Sequence, residues 1–445
     1  MPSDDLKLVF ITTITCLILY YLLLTIYKNS QIPLLVSVFI FSNMVSRTEI
    51  FKNLVNTVKT ATTAQPYIPD TAANGVFQTL SEFQKIELLT AMQSLKNYES
   101  ASKVQVDRRK RLFKLMTWRQ QKVCEQVGYL DKLSKVNSAI VANSKFINDV
   151  ADHCIQKYGI TYKDFDMVKE GTQGASATNY RVIEALSHYV RDWSSLDRLS
   201  DELQPIFNYI NKQLSGIIPE EEKSSTCIIV PGSGLGRIAH EIGKLGYGSV
   251  HSVEYSGLMT SFVDFNYNSS TEHIYNVHPY IHQNSNFYST ESQLRSIKLS
   301  SPLCPKPYSL HLHNSDFLEF SIPEVEKYTN VVVVSVYFLD TAENLMDYLD
   351  TIQRLTTNKP IKTGYWINVG PLKYGTAAQV ELNAHELKAI RQKTGWVDID
   401  YVDSLTSPSS IGNDTGLLGY ITDTESMWQG YYALNMFTSK RQENK

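Results

Sequence analysis

Apolar residues fall into three regimes along the 445-residue chain. At the N-terminus they are continuous. Leu8 to Tyr27 runs without a charge or a Gly/Pro break and matches the ~20 residues that span a bilayer core. Tyr20, Tyr21 and Tyr27 gather toward one end, as aromatic anchors do at a membrane surface. The pattern predicts a transmembrane helix at 8–27 inside an anchor of residues 1–55. A cleaved signal peptide is the competing reading, but no A-x-A site follows. A second run, Ile32 to Val45, contains Pro33, Ser37, Ser42 and Asn43 and fits a shallow, re-entrant or buried helix better than a second pass.

Residues 56–75 are small, polar and proline-containing, the pattern of a linker. Helical spacing then governs 76–215, where Val123, Val127, Leu130, Leu133, Val136, Ile140 and Ile147 predict one apolar stripe. At Thr226 the pattern becomes strand, glycine turn, helix, strand, which opens an α/β domain over 216–445. Strands are predicted at Thr226–Val230, Ser249–Val253, Tyr308–His313, Val331–Phe338, Tyr365–Val369, Asp398–Val402 and Tyr432–Thr438.

Composition narrows the function. A net charge of −3 gives no footprint for nucleic acid. Five dispersed cysteines without a C-x-x-C pair argue against a disulfide framework or structural zinc, and fit a reducing compartment. Lys7 precedes the apolar run, whereas Lys28, Arg47 and Lys52 follow it. That bias predicts a single-pass membrane protein with its C-terminal domain facing the cytoplasm, and the sequons at Asn268 and Asn413 do not reverse it. The basic stretch Asp107–Lys114 is read as a solvated helix face or a contact with anionic lipid. Nothing in the sequence decides whether the chain forms a homodimer.

The strongest chemical signal runs from Cys227 to Glu241, where a β-branched strand enters Gly232-x-Gly234-x-Gly236 and then a helix. Glycines permit a tight turn and close approach of a ligand to free helix N–H groups. Glu254 ends the next strand, where a carboxylate can accept from both ribose hydroxyls of an adenosine. The spacing is G-x-G-x-G-R, not the dinucleotide G-x-G-x-x-G, and Arg237 in the first helical turn suits an adenosyl cofactor with a carboxylate tail. Asp316 and Phe317 follow a later strand, placed to bind an adenine amino group and face. Asp340 follows the apolar Val331–Val336 run, where a substrate is held or where a helix over 343–355 is capped.

With these stretches in hand, the sequence resembles the carnosine N-methyltransferase family. The resemblance is carried by 230–237 (VPGSGLGR), 279–286 (PYIHQNSN), Asp316-Phe317, 340–344 (DTAEN), 366–371 (WINVGP), 190–194 (VRDWS) and the helical stretch around 118–123. It implies a seven-strand, Rossmann-like class I methyltransferase with an N-terminal helical region and S-adenosylmethionine as cofactor. Arg191, Gly232, Gly234, Glu254, Asp316, Phe317 and Val336 are implied cofactor positions, as is His188, which stands where a glutamine is expected. Asp340 matches an acid that orients the acceptor imidazole, and Tyr431 or Tyr432 falls near a substrate-contacting tyrosine. Gly375 occupies the place of a histidine that contacts substrate, which bears on carnosine itself as acceptor.

The implied chemistry is an in-line displacement needing no metal, with the nucleophile aligned at roughly 3–3.5 Å. A neutral imidazole attacks through its free nitrogen while Asp340 accepts from the other ring N–H. His240, His278 and His282 do not form a convincing metal set, since Pro279 interrupts the helix that His278-x-x-x-His282 would need. The rival readings are a binding protein that kept the cofactor pocket without methyl transfer, and an NAD-linked oxidoreductase.

Overall fold

The valine- and isoleucine-rich runs of the C-terminal half are buried on both faces, as parallel strands covered by helices must be. In the computed structural model, which describes residues 2–27, 31–45, 76–169, 175–270, 272–357 and 360–442, they build one seven-stranded sheet. Its strands are β1 (Thr226–Pro231), β2 (Ser249–Glu254), β3 (Leu310–Asn314), β4 (Asn330–Val336), β5 (Thr363–Gly370), β6 (Trp396–Asp403) and β7 (Asn435–Arg441). Their order is β3-β2-β1-β4-β5-β7-β6. All pairs are parallel except those of β7, which runs antiparallel to both neighbours. The order reverses between β1 and β4, and a crevice opens there at the strands' carboxyl ends.

Alternation sorts the strand residues into two cores. Ile228, Val230, Val332, Val334 and Ile367 face Ile206, Ile210 and Leu214 of the helix Leu203–Ile217. Cys227, Ile229, Val331, Val333 and Trp366 face Leu349, Ile352 and Leu355 of the helix Leu345–Thr357. Upstream, Glu82–Phe113, Tyr129–Tyr158 and Ala175–Trp193 pack with the helix Gly257–Asn268 that follows β2. Phe146 sits at the centre of that contact, against Tyr189 and Phe262.

The chain divides into two compact units, Met1–Pro69 and Asp70–Lys445, so the helical stretch and the sheet share one unit. In the first unit, the helices Pro2–Ile26 and Ile32–Val45 pack on each other, and Thr12, Cys16 and Ser37 are buried. Among the described residues no helix is long and apolar enough to cross a membrane. The predicted span at 8–27 is corrected accordingly; the hydroxyl side chains of Thr12, Thr13 and Thr15 interrupt the apolar run of this helix. The single-pass, cytoplasm-facing placement falls with it. The predicted linker at 56–75 lies outside the described residues.

Three local expectations also change. The apolar stripe from Val123 to Ile147 is broken at Gly128, whose φ of 81° caps a new helix; Val123 and Val127 are exposed, while Leu133, Val136, Ile140 and Ile147 are buried. Tyr308 is fully exposed, and the strand begins at Leu310. The strand predicted to reach Phe338 stops at Val336, because Tyr337 takes a φ of 49°. Two short antiparallel pairs were not predicted as such: His273–Val277 with Ile297–Ser301, and Leu417–Gly419 with Tyr431–Ala433.

Candidate functional site

The glycine loop after β1 turns through left-handed backbone at Gly232, Gly234 and Gly236, with φ values of 57°, 56° and 78°. A methyl group on Gly232 would run into the Phe338 ring, whereas nothing lies within 4 Å of one built on Gly234. The loop therefore presses against the end of β4 at one glycine and opens a cradle at the next. Glu254 fastens it: its carboxylate accepts from Gly234 N at 2.8 Å and from Ser256 N at 2.9 Å. Burial pushes the Glu254 carboxyl up, and the N–H groups of Ser256, Gly234 and Tyr255 pull it back. A carboxylate offers about four acceptor sites, so acceptor capacity remains beyond these N–H groups.

His188, Arg191, Gly232, Gly234 and Val336 line a single cavity, together with Asp192, Tyr337 and Tyr420. Its electrostatics come from the end of the helix Ala175–Trp193. Arg191 donates from Nε to Asp192 at 2.5 Å, and its guanidinium lies 5.3 Å from the Tyr420 ring centre. His188 Nδ1 stands 3.2 Å from an Arg191 nitrogen. Arginine can only donate, so that ring nitrogen accepts, and His188 is neutral with its proton on Nε2. Burial lowers the His188 pKa to about 4, with Arg191 acting in the same direction.

Arg237 does something other than the glycine-loop spacing suggested. Its guanidinium is buried and donates to Glu241 at 2.9 Å and to the carbonyls of Asp192, Ser195, Leu196 and Arg198 at 2.7–3.4 Å. It ties the segment after Trp193 to the glycine-loop helix and also lines the cavity beside Arg191. Arg191 lines the same cavity with its guanidinium paired to Asp192.

At the end of β3, Asp316 Oδ1 accepts from Leu318 N at 2.8 Å, and among the described residues its second oxygen has no hydrogen-bond partner. Phe317 is buried edge-on against Phe338 and Tyr348, 5.3 and 5.8 Å away between ring centres. Its ring is a wall of the core more than an open face.

Asp340 stands just past β4. The helix that follows begins at Leu345, and Asn344 Oδ1 accepts from Met346 N at 3.1 Å. The capping alternative for Asp340 is thereby removed. One Asp340 oxygen accepts from the backbone N–H of Lys373 at 3.1 Å. Burial raises the Asp340 pKa, partly offset by that N–H and by the Lys373 charge. Lys373 in turn places Nζ 3.3 Å from the Tyr432 hydroxyl. Tyr432 thus joins Asp340 through Lys373. Tyr431 does not, since it is exposed and donates to Gln429 at 2.5 Å.

Several residues at the site escaped the sequence. Tyr420 packs 4.8 Å from Tyr337 and 6.2 Å from Tyr432 between ring centres. Glu202 holds the following turn by accepting from Ile421 N and Thr422 N at 2.8 and 2.7 Å. No spacing signal links residues 219 or 220 positions apart; only the fold does. The histidines have separate partners. His240 pairs with Tyr267, His278 with the Leu294 carbonyl and His282 with Tyr98, at 3.1, 2.6 and 2.8 Å. Among the described residues no group of His, Cys, Asp and Glu could hold a metal ion.

A family model described as Carnosine N-methyltransferase matches residues 169–443. An uncharacterized protein of Saccharomyces cerevisiae is 30% identical over 71% of this chain and 73% of its own length. The Carnosine N-methyltransferase of Schizosaccharomyces pombe is 27% identical over 72% of this chain and 85% of its own. For the Mus musculus protein of that name the figures are 26%, 83% and 89%. Among solved structures, magnesium protoporphyrin IX methyltransferase from Synechocystis PCC 6803 with bound SAH aligns at a TM-score of 0.32 and 10% identity, over 62% of this chain and 99% of that one.

Proposed function

The chain belongs to the carnosine N-methyltransferase family, and from that premise we propose that it methylates an imidazole nitrogen of carnosine or a related histidine-containing small molecule or peptide. It is an N-methyltransferase, and S-adenosylmethionine is its cofactor. The cradle fits that group. Nothing lies within 4 Å of a methyl built on Gly234, so the backbone there is open to close approach; in this reading Glu254 takes its ribose, Asp316 its adenine amino group and Arg191 its carboxylate. Val336 and His188 would close the wall, Phe317 backing it from the core. The bound cofactor supplies an electrophilic methyl group.

The observation that carries the acceptor assignment is Asp340. It is half-buried at the carboxyl end of the central strand, free of capping duty, with one oxygen engaged by Lys373 N–H. In this reading the other oxygen accepts the imidazole N–H. That fixes the tautomer whose opposite nitrogen carries the lone pair, and a carboxylate there stabilises the positive charge that grows on the ring. No general base is required before attack. Tyr432 forms the neighbouring wall, and Tyr431 is placed for the outer rim.

Methyl transfer from labelled S-adenosylmethionine to carnosine tests this. Asp340→Ala should lower turnover on the order of 100-fold and leave the cofactor Kd within about twofold. Unchanged turnover would remove Asp340 from the reaction. A different acceptor is the second reading, favoured by Gly375, which is exposed and has nothing within 4 Å of a built Cβ. No side chain from that position reaches the acceptor space.

A further inference from the structure

We infer that Arg295 is a positioning residue for methyl transfer: through Asp423 it holds the hairpin that carries Tyr420 and Tyr432, and so keeps the acceptor side of the site in place without touching a reactant. This rests on the reading above, in which the acceptor lies beside Asp340 and Tyr432. It also gives a role to the stretch 279–286, which neither the cofactor groups nor the acceptor groups account for.

The hairpin has little hold of its own. Its strands, Leu417–Gly419 and Tyr431–Ala433, are three residues each and form a sheet apart from the main one. Between them Ile421 takes a φ of 53°, and a β-branched residue stays in left-handed backbone only where its surroundings hold it. Ile421 follows Tyr420 directly, so the place of that ring depends on the turn. From one flank Glu202 accepts from Ile421 N and Thr422 N.

The other flank is the segment between His273–Val277 and Ile297–Ser301. Tyr280 lays its ring against the Arg295 guanidinium, 3.5 Å from the ring centre. Arg295 is thereby aimed at Asp423, with which it forms a hydrogen-bonded ion pair, and it approaches Glu425 at 3.6 Å. The same Asp423 oxygen accepts from Glu425 N at 2.9 Å, which fixes the cation to the bend of the hairpin itself. At the end of the stretch Asn286 turns through a φ of 67° and offers its carbonyl to Met427 N at 2.8 Å and to Ser426 Oγ at 3.2 Å.

Among the described residues no other cation pairs with Asp423, whose side chain is 10% exposed. Removing Arg295 therefore leaves a mostly buried charge uncompensated, and the bend must move to solvate it. The movement reaches the acceptor wall, because Tyr420 and Tyr432 lie in the same hairpin with ring centres 6.2 Å apart. Arg191 keeps its own pair with Asp192, and Arg295 does not line the cavity at Gly234. A disturbed acceptor side beside an intact cofactor side is the expected signature.

The test uses the full chain, labelled S-adenosylmethionine and carnosine, with S-adenosylhomocysteine for binding. Arg295→Met should raise KM for carnosine roughly tenfold, with kcat within about threefold and the S-adenosylhomocysteine Kd within about twofold. Arg295→Lys, which keeps the charge, should recover most of that loss. Asp423→Asn should match Arg295→Met, and the double variant should be no worse than either, since both break one link. Amide exchange across the hairpin should quicken in every variant that raises KM. An unchanged KM in Arg295→Met would overturn the inference. So would effects that multiply in the double variant, or a Kd that rises in step with KM, the mark of general loosening. If the unaltered protein binds the cofactor but leaves carnosine unmethylated, the imidazole reading fails by itself. Amide exchange then decides: faster exchange of the hairpin in Arg295→Met upholds the clamp, and an unchanged rate overturns it.

Discussion

Glu254 fastens the glycine loop and is proposed to receive the cofactor ribose as well. It accepts from Gly234 N and Ser256 N and so holds the glycine loop against the end of β2; in the proposed reading its remaining acceptor capacity takes the ribose. Glu254→Ala should weaken S-adenosylmethionine binding about 100-fold, the loss of two hydrogen bonds to a charged acceptor, as read by titration calorimetry. A milder response is expected from Glu254→Gln, which keeps one oxygen for the loop. Gly232→Ala should be as damaging as the loss of Glu254, though for a steric reason. A methyl group there meets the Phe338 ring, and the φ of 57° resists a side chain. Cofactor titration of this variant should show little binding, with the fold retained by circular dichroism.

Between elements, the glycine-loop helix and the segment after Trp193 are joined mainly by Arg237, buried with its donors spread over Glu241 and four carbonyls. Arg237→Ala leaves those acceptors unpaired, and a cost of about 3–5 kcal/mol follows for breaking a buried pair. Urea unfolding measures it directly. The sequence placed this arginine near the cofactor tail because spacing reveals position along a helix but not the partners that fold back onto it. The strands and the glycine loop were legible, since β-branched runs bounded by glycine have few alternatives. Gly128 was harder: a lone glycine inside a helical stripe leaves the period intact on paper, and only its left-handed backbone shows the break. Tyr420 was invisible for a third reason, being brought to the cavity by a hairpin too short to leave a strand pattern, and Glu202, just before the helix Leu203–Ile217, meets that hairpin's turn only in the fold.

Across the whole molecule, burial keeps a set of imidazoles neutral. His188, His240 and His282 are lowered to about 4 and His251 to about 3, in each case mainly by burial. Unfolded histidines titrate near 6.5, so the unfolded chain takes up protons first as pH falls. The stability these groups contribute is fully present above about pH 6.5 and is lost progressively as pH falls from there to about 4. Each depressed unit is worth about 1.4 kcal/mol, which predicts a loss of several kcal/mol between about pH 7 and about pH 4.5, read from urea midpoints. Removing the first compact unit is a second test at this scale. A chain beginning at Asp70 should keep its unfolding midpoint and its methyl transfer, because residues 70–445 form a unit with their own core.

The reversal of strand order between β1 and β4 also divides the labour of the site. The groups proposed for the cofactor hang from β1, β2, β3 and the helix before them, with Val336 of β4 at the boundary. Those proposed for the acceptor hang from β4, the turn after β5 and the hairpin before β7. A lineage can therefore revise what it methylates by editing one flank of the sheet while inheriting the other unchanged. The exposed Gly375, in the turn after β5, is the kind of edit that such a division permits: local to one flank and cheap for the fold.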